Sequence, residues 1–228
     1  MRILIISDND YIGKSILSII ESYKVTACTV TISGSNLIDM KSEDQINQII
    51  KNNDLVISAH CKKIFPKILT DGIRCINIHP GYNPYNRGWY PQVFSLNNGL
   101  PLGATVHIID DMLDHGDIII REEIKIEDCD TSLSLYNKII EKEIGIFKKV
   151  LPDIISDNIK TQTPEIEGNV NYKSDFDNLC RLDMDSVGTL REHINLLRSL
   201  THGEYSNAYF EDSKGNKIYI SINLDKHV

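Results

Sequence analysis

The 228-residue chain is 41% hydrophobic and 25% charged, enough for a packed core in one large domain or a main domain with a small appendage. A formal net charge of -8 argues against nucleic acid as its main partner, because affinity for a phosphate backbone rests on clustered Lys and Arg. Cys28, Cys61, Cys75, Cys129 and Cys180 form no close zinc or redox pair, the chain starts directly on a strand-like run, and no apolar stretch approaches a membrane span, so a reduced, cytoplasmic protein is expected.

Arg2 to Ser7 reads as a strand buried on both faces, followed by loop and capping residues and a helix over about Tyr11 to Tyr23 with Ile12, Ile16, Ile19 and Ile20 at helical spacing. This βα start lacks Gly-x-Gly-x-x-Gly, which disfavours an ordinary dinucleotide site. Thr26 to Ser33 is a second strand, Glu43 to Lys51 a helix with Ile46, Ile49 and Ile50 inward, and Leu55 to Ala59 a third strand. His60 to Leu69 forms a turn or short helix leading to the strand Ile73 to His79. A helix follows over Gly88 to Asn98, with Val93, Phe94 and Leu96 facing the core. Then come a strand from Gly103 to Asp110, an acidic loop to Asp117, and an edge strand from Ile118 to Ile126. A long amphipathic helix runs from Thr131 to about Ile155, with Pro152 placed to interrupt or kink it near its end.

Alternating strands and helices imply a Rossmann-like α/β fold with a mostly parallel sheet covered on both faces. Residues 1–155 form this main domain. The polar stretch 156–171, with Pro164 and Gly168, reads as a linker, and 172–228 as a small unit. That unit carries a helix over Thr189 to Ser199, with Leu190, Ile194 and Leu197 on one side, then strands Ala208 to Glu211 and Lys217 to Leu224 around a turn at Asp212 to Asn216. Ile218, Ile220, Ile222 and Leu224 alternate, so one hairpin face needs cover from the core or from a second subunit.

Positions two apart on a strand share a face, so Asn77 and His79 point the same way at a carboxyl end, where open α/β sheets bind ligands. An amide can donate to a developing oxyanion and an imidazole can carry protons near neutral pH, a pairing suited to acyl transfer; strand capping by His79 is the plain alternative. Asp114 lies on the loop after the next strand. If neighbouring strands pair, that loop arches over the carboxyl end, where a carboxylate could orient the imidazole; a turn bond before Gly116 is the alternative. His107, Asp110, Asp111, Asp114, His115 and Asp117 have no recognised metal-ligand spacing, and no metal is expected. Arg87 suits a phosphate or carboxylate, and Trp89 and Tyr90 suit stacking on a base or sugar.

Asn77-Ile-His79-Pro80, Tyr85-Asn-Arg87-Gly88, Gly103-Ala-Thr105-Val-His107 and Leu113-Asp114-His-Gly116, in this order over about Leu55 to Ile120, resemble the formyltransferases that use N10-formyltetrahydrofolate. Asn-Pro-Tyr-Asn-Arg-Gly-Trp-Tyr-Pro and the tail from Leu190 to Phe210 look like the sugar N-formyltransferases in that family, especially those acting on dTDP-4-amino-4,6-dideoxyglucose for surface polysaccharide (O-antigen) synthesis. The resemblance implies Asn77, His79 and Asp114 as catalytic residues. It also implies a pterin against Lys63, Ile64 and Phe65 and the loop Asp110, Asp111, Met112, Leu113, Asp114. The nucleotide-linked amino sugar would then approach from Arg87, Trp89 and Tyr90 and touch Asn9 and the tail, in a homodimer. The amine position, the sugar configuration and dTDP against GDP stay open, as does a formyl-folate hydrolase.

Overall fold

The computed structural model describes residues 1–23 and 29–227. In chain order the elements are β1 (Arg2–Ser7), α1 (Asp10–Ser22), β2 (Thr29–Ser33), a 3-10 turn (Ser35–Leu37), α2 (Glu43–Asn52), β3 (Leu55–Ala59), α3 (Lys67–Gly72) and β4 (Cys75–His79). There follow β5 (Arg87–Gly88), α4 (Pro91–Asn98), β6 (Gly103–Ile108), β7 (Ile118–Glu123), α5 (Ser132–Ile155), β8 (Val170–Asn171), α6 (Lys173–Cys180), α7 (Leu190–Leu200), β9 (Tyr209–Glu211) and β10 (Lys217–Tyr219). The expected start of the second strand at Thr26, and Cys28, lie outside the described residues.

The main sheet has strand order β2-β1-β3-β4-β6-β7. β2, β1, β3 and β4 are parallel, whereas β6 runs against β4 and β7 against β6. The unbroken apolar run of β1 follows from double-sided burial. Ile3 and Ile5 pack with α1 and α5 on one face, and Leu4 and Ile6 pack with Ile46, Phe65 and Leu69 on the other. Asn9 caps α1 by accepting from the Tyr11 and Ile12 N–H groups, and Thr131 closes a capping box with Ser134 at the head of α5.

Several boundaries differ from the sequence reading for local reasons. The helix expected from Gly88 starts at Pro91, because Gly88 and Tyr90 take positive φ and hold the chain out of the helix until proline sets its first turn. α5 ends at Ile155 as expected, and Pro152 lies inside the helix without interrupting it. The second hairpin strand ends at Tyr219, not Leu224, because β9 offers only three paired residues and Ile222 N–H turns to Thr201 Oγ1. Leu190 is exposed, and the buried side of α7 is carried by Leu196, Leu197 and Leu200. α6 and the β5–β8 pair had no sequence signal strong enough to be read.

The segment 156–171 is tied to the main domain along its length. Gln162 bridges to Ile118, Thr163 Oγ1 donates to Asp117, and Asn169 Oδ1 accepts from Asn86 N–H. β8 then pairs with β5, so the segment braces the loop after β4. Beyond it, Val93 of α4 packs with Cys180, Leu200 and Ala208, and the buried Arg198 guanidinium donates to the carbonyls of Glu127, Asp128 and Asp130.

Candidate active site

The β4–β6 register sets Asn77 opposite His107 and His79 opposite Thr105. All four share the face away from Ile76 and Ile78, which belong to the α1–α5 core. Thr105 Oγ1 donates to Gly81 O (2.7 Å) and accepts from Asn83 N–H (3.1 Å), so β6 fixes the turn that follows His79. Gly81 is required by space: a Cβ there would lie 2.4 Å from His79 Nε2.

Asp114 arrives differently from expectation. Because β6 is antiparallel, its loop starts beside the amino half of β4, with Ile109 N–H donating to Cys75 O. It reaches the site by folding back over the sheet face, pressed so closely that a Cβ on Gly116 would meet Ile108 O at 2.0 Å. Asp114 itself takes positive φ. Its Oδ1 accepts from Asn77 Nδ2 (2.9 Å), its Oδ2 accepts from Gly88 N–H (3.1 Å), and Oδ2 lies 3.4 Å from His79 Nδ1. Asn83 Nδ2 donates to its backbone carbonyl (2.8 Å).

Burial raises the Asp114 carboxyl, but the neighbouring imidazoles and the Gly88 N–H outweigh it and hold it at about 2. Burial pushes His79 down to about 4, only partly offset by Asp114. At neutral pH the site therefore holds an ionised carboxylate beside a neutral imidazole. Asp114 selects the Nδ1–H tautomer, which leaves the lone pair on Nε2, and that atom is buried without a hydrogen-bond partner. A base of this kind is set to take a proton from whatever nucleophile enters.

His107, which the sequence places in the Gly103-Ala-Thr105-Val-His107 motif without a role of its own, also belongs to the site. Its Nδ1 lies 2.7 Å from Ile108 O and must carry hydrogen, while Nε2 lies 3.2 Å from Asn77 Nδ2 and accepts from it. Alternation along Thr105 and His107 was the available signal; the pairing with Asn77 was not. Both Asn77 amide hydrogens thus point at protein acceptors, and one must turn to reach a substrate oxygen.

The remaining expected contacts divide by burial. Ile64 (72% exposed) and Met112 (46% exposed) stand out on two loops joined beneath by Phe65 and Ile109, an exposed apolar pair suited to a flat ring. Lys63 Nζ donates to Ile38 O, and Asp110 Oδ2 lies 2.7 Å from His115 Nδ1. Asp111 is exposed, and Leu113 O accepts from Arg87 Nη1. Arg87 is only 2% exposed, so it braces that loop from within. Trp89 and Tyr90 are half-buried, with Tyr90 4.3 Å from the Phe176 ring. Asn9, besides capping α1, donates to the Tyr136 hydroxyl (2.9 Å). Among the described residues no group of three His, Cys, Asp or Glu side chains could hold a metal ion, and no helix is long and apolar enough to cross a membrane.

Residues 12–151 match the family described as Formyl transferase, and residues 175–226 match the N-formyltransferase dimerization C-terminal domain. The chain is 44% identical over 182 residues to the dTDP-4-amino-4,6-dideoxyglucose formyltransferase of Mycobacterium tuberculosis, covering 80% of this chain and 78% of that protein. A sugar N-formyltransferase structure from a Shewanella species superposes with a TM-score of 0.95 at 38% identity, over 100% of this chain and 99% of the other. A formyltransferase from Anoxybacillus kamchatkensis, solved with UDP-4,6-dideoxy-4-formamido-L-AltNAc and tetrahydrofolate, superposes with a TM-score of 0.68 at 26% identity, over 78% of this chain and 89% of that one.

Proposed function

This chain belongs to the formyl transferase family, and on that basis we propose that it transfers the formyl group of N10-formyltetrahydrofolate to the amine of a nucleotide-linked amino-dideoxy sugar, dTDP-4-amino-4,6-dideoxyglucose. The observation that carries the reaction type is the buried, unpartnered His79 Nε2 backed by an ionised Asp114. The folate fits the exposed Ile64 and Met112 surface, with Lys63, Phe65, Asp110, Asp111 and Leu113 framing it. Its contribution is an electrophilic formyl carbon.

The protein residues manage the charges. As the neutral amine adds to the formyl carbon, Asn77 turns an N–H toward the oxygen that gains negative charge, and His107 Nε2 and Asp114 Oδ1 position that amide. His79 Nε2 takes the proton lost by the amine nitrogen and Asp114 stabilises the imidazolium so formed; the formyl carbon–N10 bond then breaks, and N10 leaves as tetrahydrofolate carrying the proton that His79 returns. Water exclusion follows from the burial of His79 beneath Gly81 and Pro91.

We further propose a cytoplasmic homodimer joined through residues 172–228. The exposed Ile218 and Tyr219 of the hairpin and the matched dimerization domain support this reading. Residues 1–155 would form the catalytic domain and 156–171 the brace between the two. A formamido sugar still carried on its nucleotide is ready for glycosyl transfer, which accords with surface polysaccharide synthesis.

The direct test is incubation with N10-formyltetrahydrofolate and a panel of dTDP- and GDP-linked 3-amino and 4-amino dideoxy sugars, read by mass. Gain of one formyl group on the dTDP-linked 4-amino sugar, abolished in His79→Ala, is expected. Formylation of a different panel member would replace the acceptor, and formate released without any amine would replace transfer by hydrolysis.

A further inference from the structure

Asn86 immediately precedes the Arg87-Gly88 step of β5, and it is fully buried at positive φ where α4 meets the segment 169–171. Its Oδ1 accepts from Asn98 Nδ2 (2.9 Å) of α4 and from Asn169 Nδ2 (2.8 Å) and Asn171 Nδ2 (3.2 Å) of that segment. Its Nδ2 donates to Ser95 Oγ (3.0 Å) and Asn98 Oδ1 (3.3 Å), and its backbone N–H donates to Asn169 Oδ1 (2.9 Å). A buried amide so fully partnered favours one geometry, because each bond lost in a low-dielectric interior leaves an unsatisfied polar group.

The geometry carries on to Asp114. Beside Asn86, Arg87 N–H donates to Asn169 O (3.0 Å) and Trp89 N–H to Asn171 O (2.9 Å). Successive amides alternate in direction along a paired strand. Gly88 N–H, between those two, therefore turns the other way and donates to Asp114 Oδ2 (3.1 Å), the oxygen that faces His79 Nδ1. The segment is seated closely at both ends: a Cβ on Gly88 would lie 2.4 Å from Asn171 O, and one on Gly168 2.0 Å from Pro84 O. Asp114 takes a φ of 48°, which a residue other than glycine keeps only when its surroundings impose it. Asn83 on its carbonyl, Arg87 on the carbonyl of Leu113 and Gly88 on its Oδ2 supply that restraint, and all three belong to the loop that Asn86 anchors.

Resting on the role given to Asp114 above, we propose that Asn86 is a positioning residue of the transfer reaction: with Asn169 and Asn171 it aims Gly88 N–H at Asp114 Oδ2 and so sets the carboxylate that orients His79. The Asn86 side chain bonds only to Ser95 and the three asparagines, so it acts through its neighbours and touches no reacting atom. Docking of 169–171, which leads directly into α6, thereby completes the catalytic set from outside the main sheet. An amide that only closed a turn would change stability and leave folded molecules with the wild-type kcat.

The experiment compares the full chain as wild type, Asn86→Gly, Asn169→Ala, Asp114→Asn and the double variant Asn86→Gly with Asp114→Asn. Glycine accepts the positive φ, so Asn86→Gly removes the side chain without straining the backbone. Arg87-Gly88 is the single Arg-Gly step in the sequence, so carbon-13 in arginine carbonyls and nitrogen-15 in glycine isolate the Gly88 amide signal. In Asn86→Gly that signal should move toward its position in Asp114→Asn. kcat should fall about ten- to hundredfold, with KM for N10-formyltetrahydrofolate within about threefold of wild type. Asn169→Ala should shift both readouts the same way by less, and it carries the test if Asn86→Gly melts below the assay temperature. In the double variant kcat should match Asp114→Asn within about twofold, because both residues act on one interaction. Three results each overturn the proposal: kcat of Asn86→Gly within about twofold of wild type, a fall in kcat with the Gly88 signal unmoved, or the full fall repeated on top of Asp114→Asn. If wild type formylates no sugar of the panel, the acceptor reading fails instead, and the Gly88 signal alone decides whether Asn86 positions Asp114.

Discussion

Asp114→Asn tests the electrostatic core of the site with almost no change in volume. Three donors face the carboxylate, Asn77 Nδ2 on Oδ1 and Gly88 N–H and the His79 Nδ1 side on Oδ2, with His107 Nε2 farther off at 3.7 Å from Oδ1. An amide must place its NH2 against one of these sets. With the NH2 toward Oδ2, His79 is driven to present a lone pair on Nδ1 and hydrogen on Nε2, so the atom that should accept the amine proton no longer can. With the NH2 toward Oδ1, it opposes Asn77, which must turn its oxygen inward and lose the oxyanion donor. Either outcome disables one role, and in both the imidazolium loses its counter-charge. A general base supplies about 10²- to 10⁴-fold, and an amide in place of a triad carboxylate costs up to roughly 10⁴ in kcat through the wrong tautomer. We expect kcat to fall by about 10²- to 10⁴-fold, and a buried donor left opposing a donor to cost about 1–3 kcal/mol of stability. Single-turnover formylation read by mass, with thermal melting on the same protein, measures both. A variant with kcat within threefold of wild type would refute the assignment of Asp114 as the group that sets the His79 tautomer.

His79 should titrate far below an ordinary imidazole. Its ring NMR signals should stay constant from pH 8 down to about 5.5 and move only near pH 4; a midpoint near 6.5 would contradict its burial. Because the folded value lies below the unfolded one, the unfolded chain binds more protons between about 6.5 and 4, so this group's contribution to stability is present above that window and lost as pH falls through it. Comparing acid unfolding of wild type and His79→Gln isolates the effect, with the variant expected to be the less acid-sensitive. In Gly81→Ala the new methyl would sit 2.4 Å from His79 Nε2 and 3.2 Å from Pro91 Cγ, so the ring must swing away. kcat should drop at least about tenfold, and an unchanged kcat with the ring still in place would show that the turn can yield instead. Arg198→Met leaves the carbonyls of Glu127, Asp128 and the buried Asp130 without their shared donor and should cost about 1–3 kcal/mol. Proteolysis should then cut first between α7 and β9, and a melting temperature equal to wild type would dismiss Arg198 as the pin of the C-terminal unit.

Much of the fold was legible because its signals are local. Ile3 to Ile6, the Ile12, Ile16 and Ile20 stripe, and the run from Leu55 to Ala59 declare strand or helix within a few residues, since side-chain direction repeats every 2 or 3.6 positions. The same rule placed Asn77 and His79 on one face. The short pair β5–β8 and helix α6 carry too few periodic positions for such a reading, and Gly88 and Tyr90 depart from the helix through φ values that composition does not reveal. Asn9 and Arg87 were recognised as residues worth placing, but packing decided that one caps a helix and the other lies inside.

By itself, then, the chain determined its strands and helices, the family resemblance, and an amide and an imidazole side by side at a strand end. Tertiary structure decided what they meet. The reversal of β6 sent the Asp114 loop back over the sheet, the β4–β6 register brought His107 to Asn77, and α5 delivered Glu143 to His60 across 83 residues. The physical reason is range. Backbone geometry fixes the direction of a side chain within one turn or one strand, whereas the partner it finds depends on strand direction and on the burial of elements 30 or more positions away.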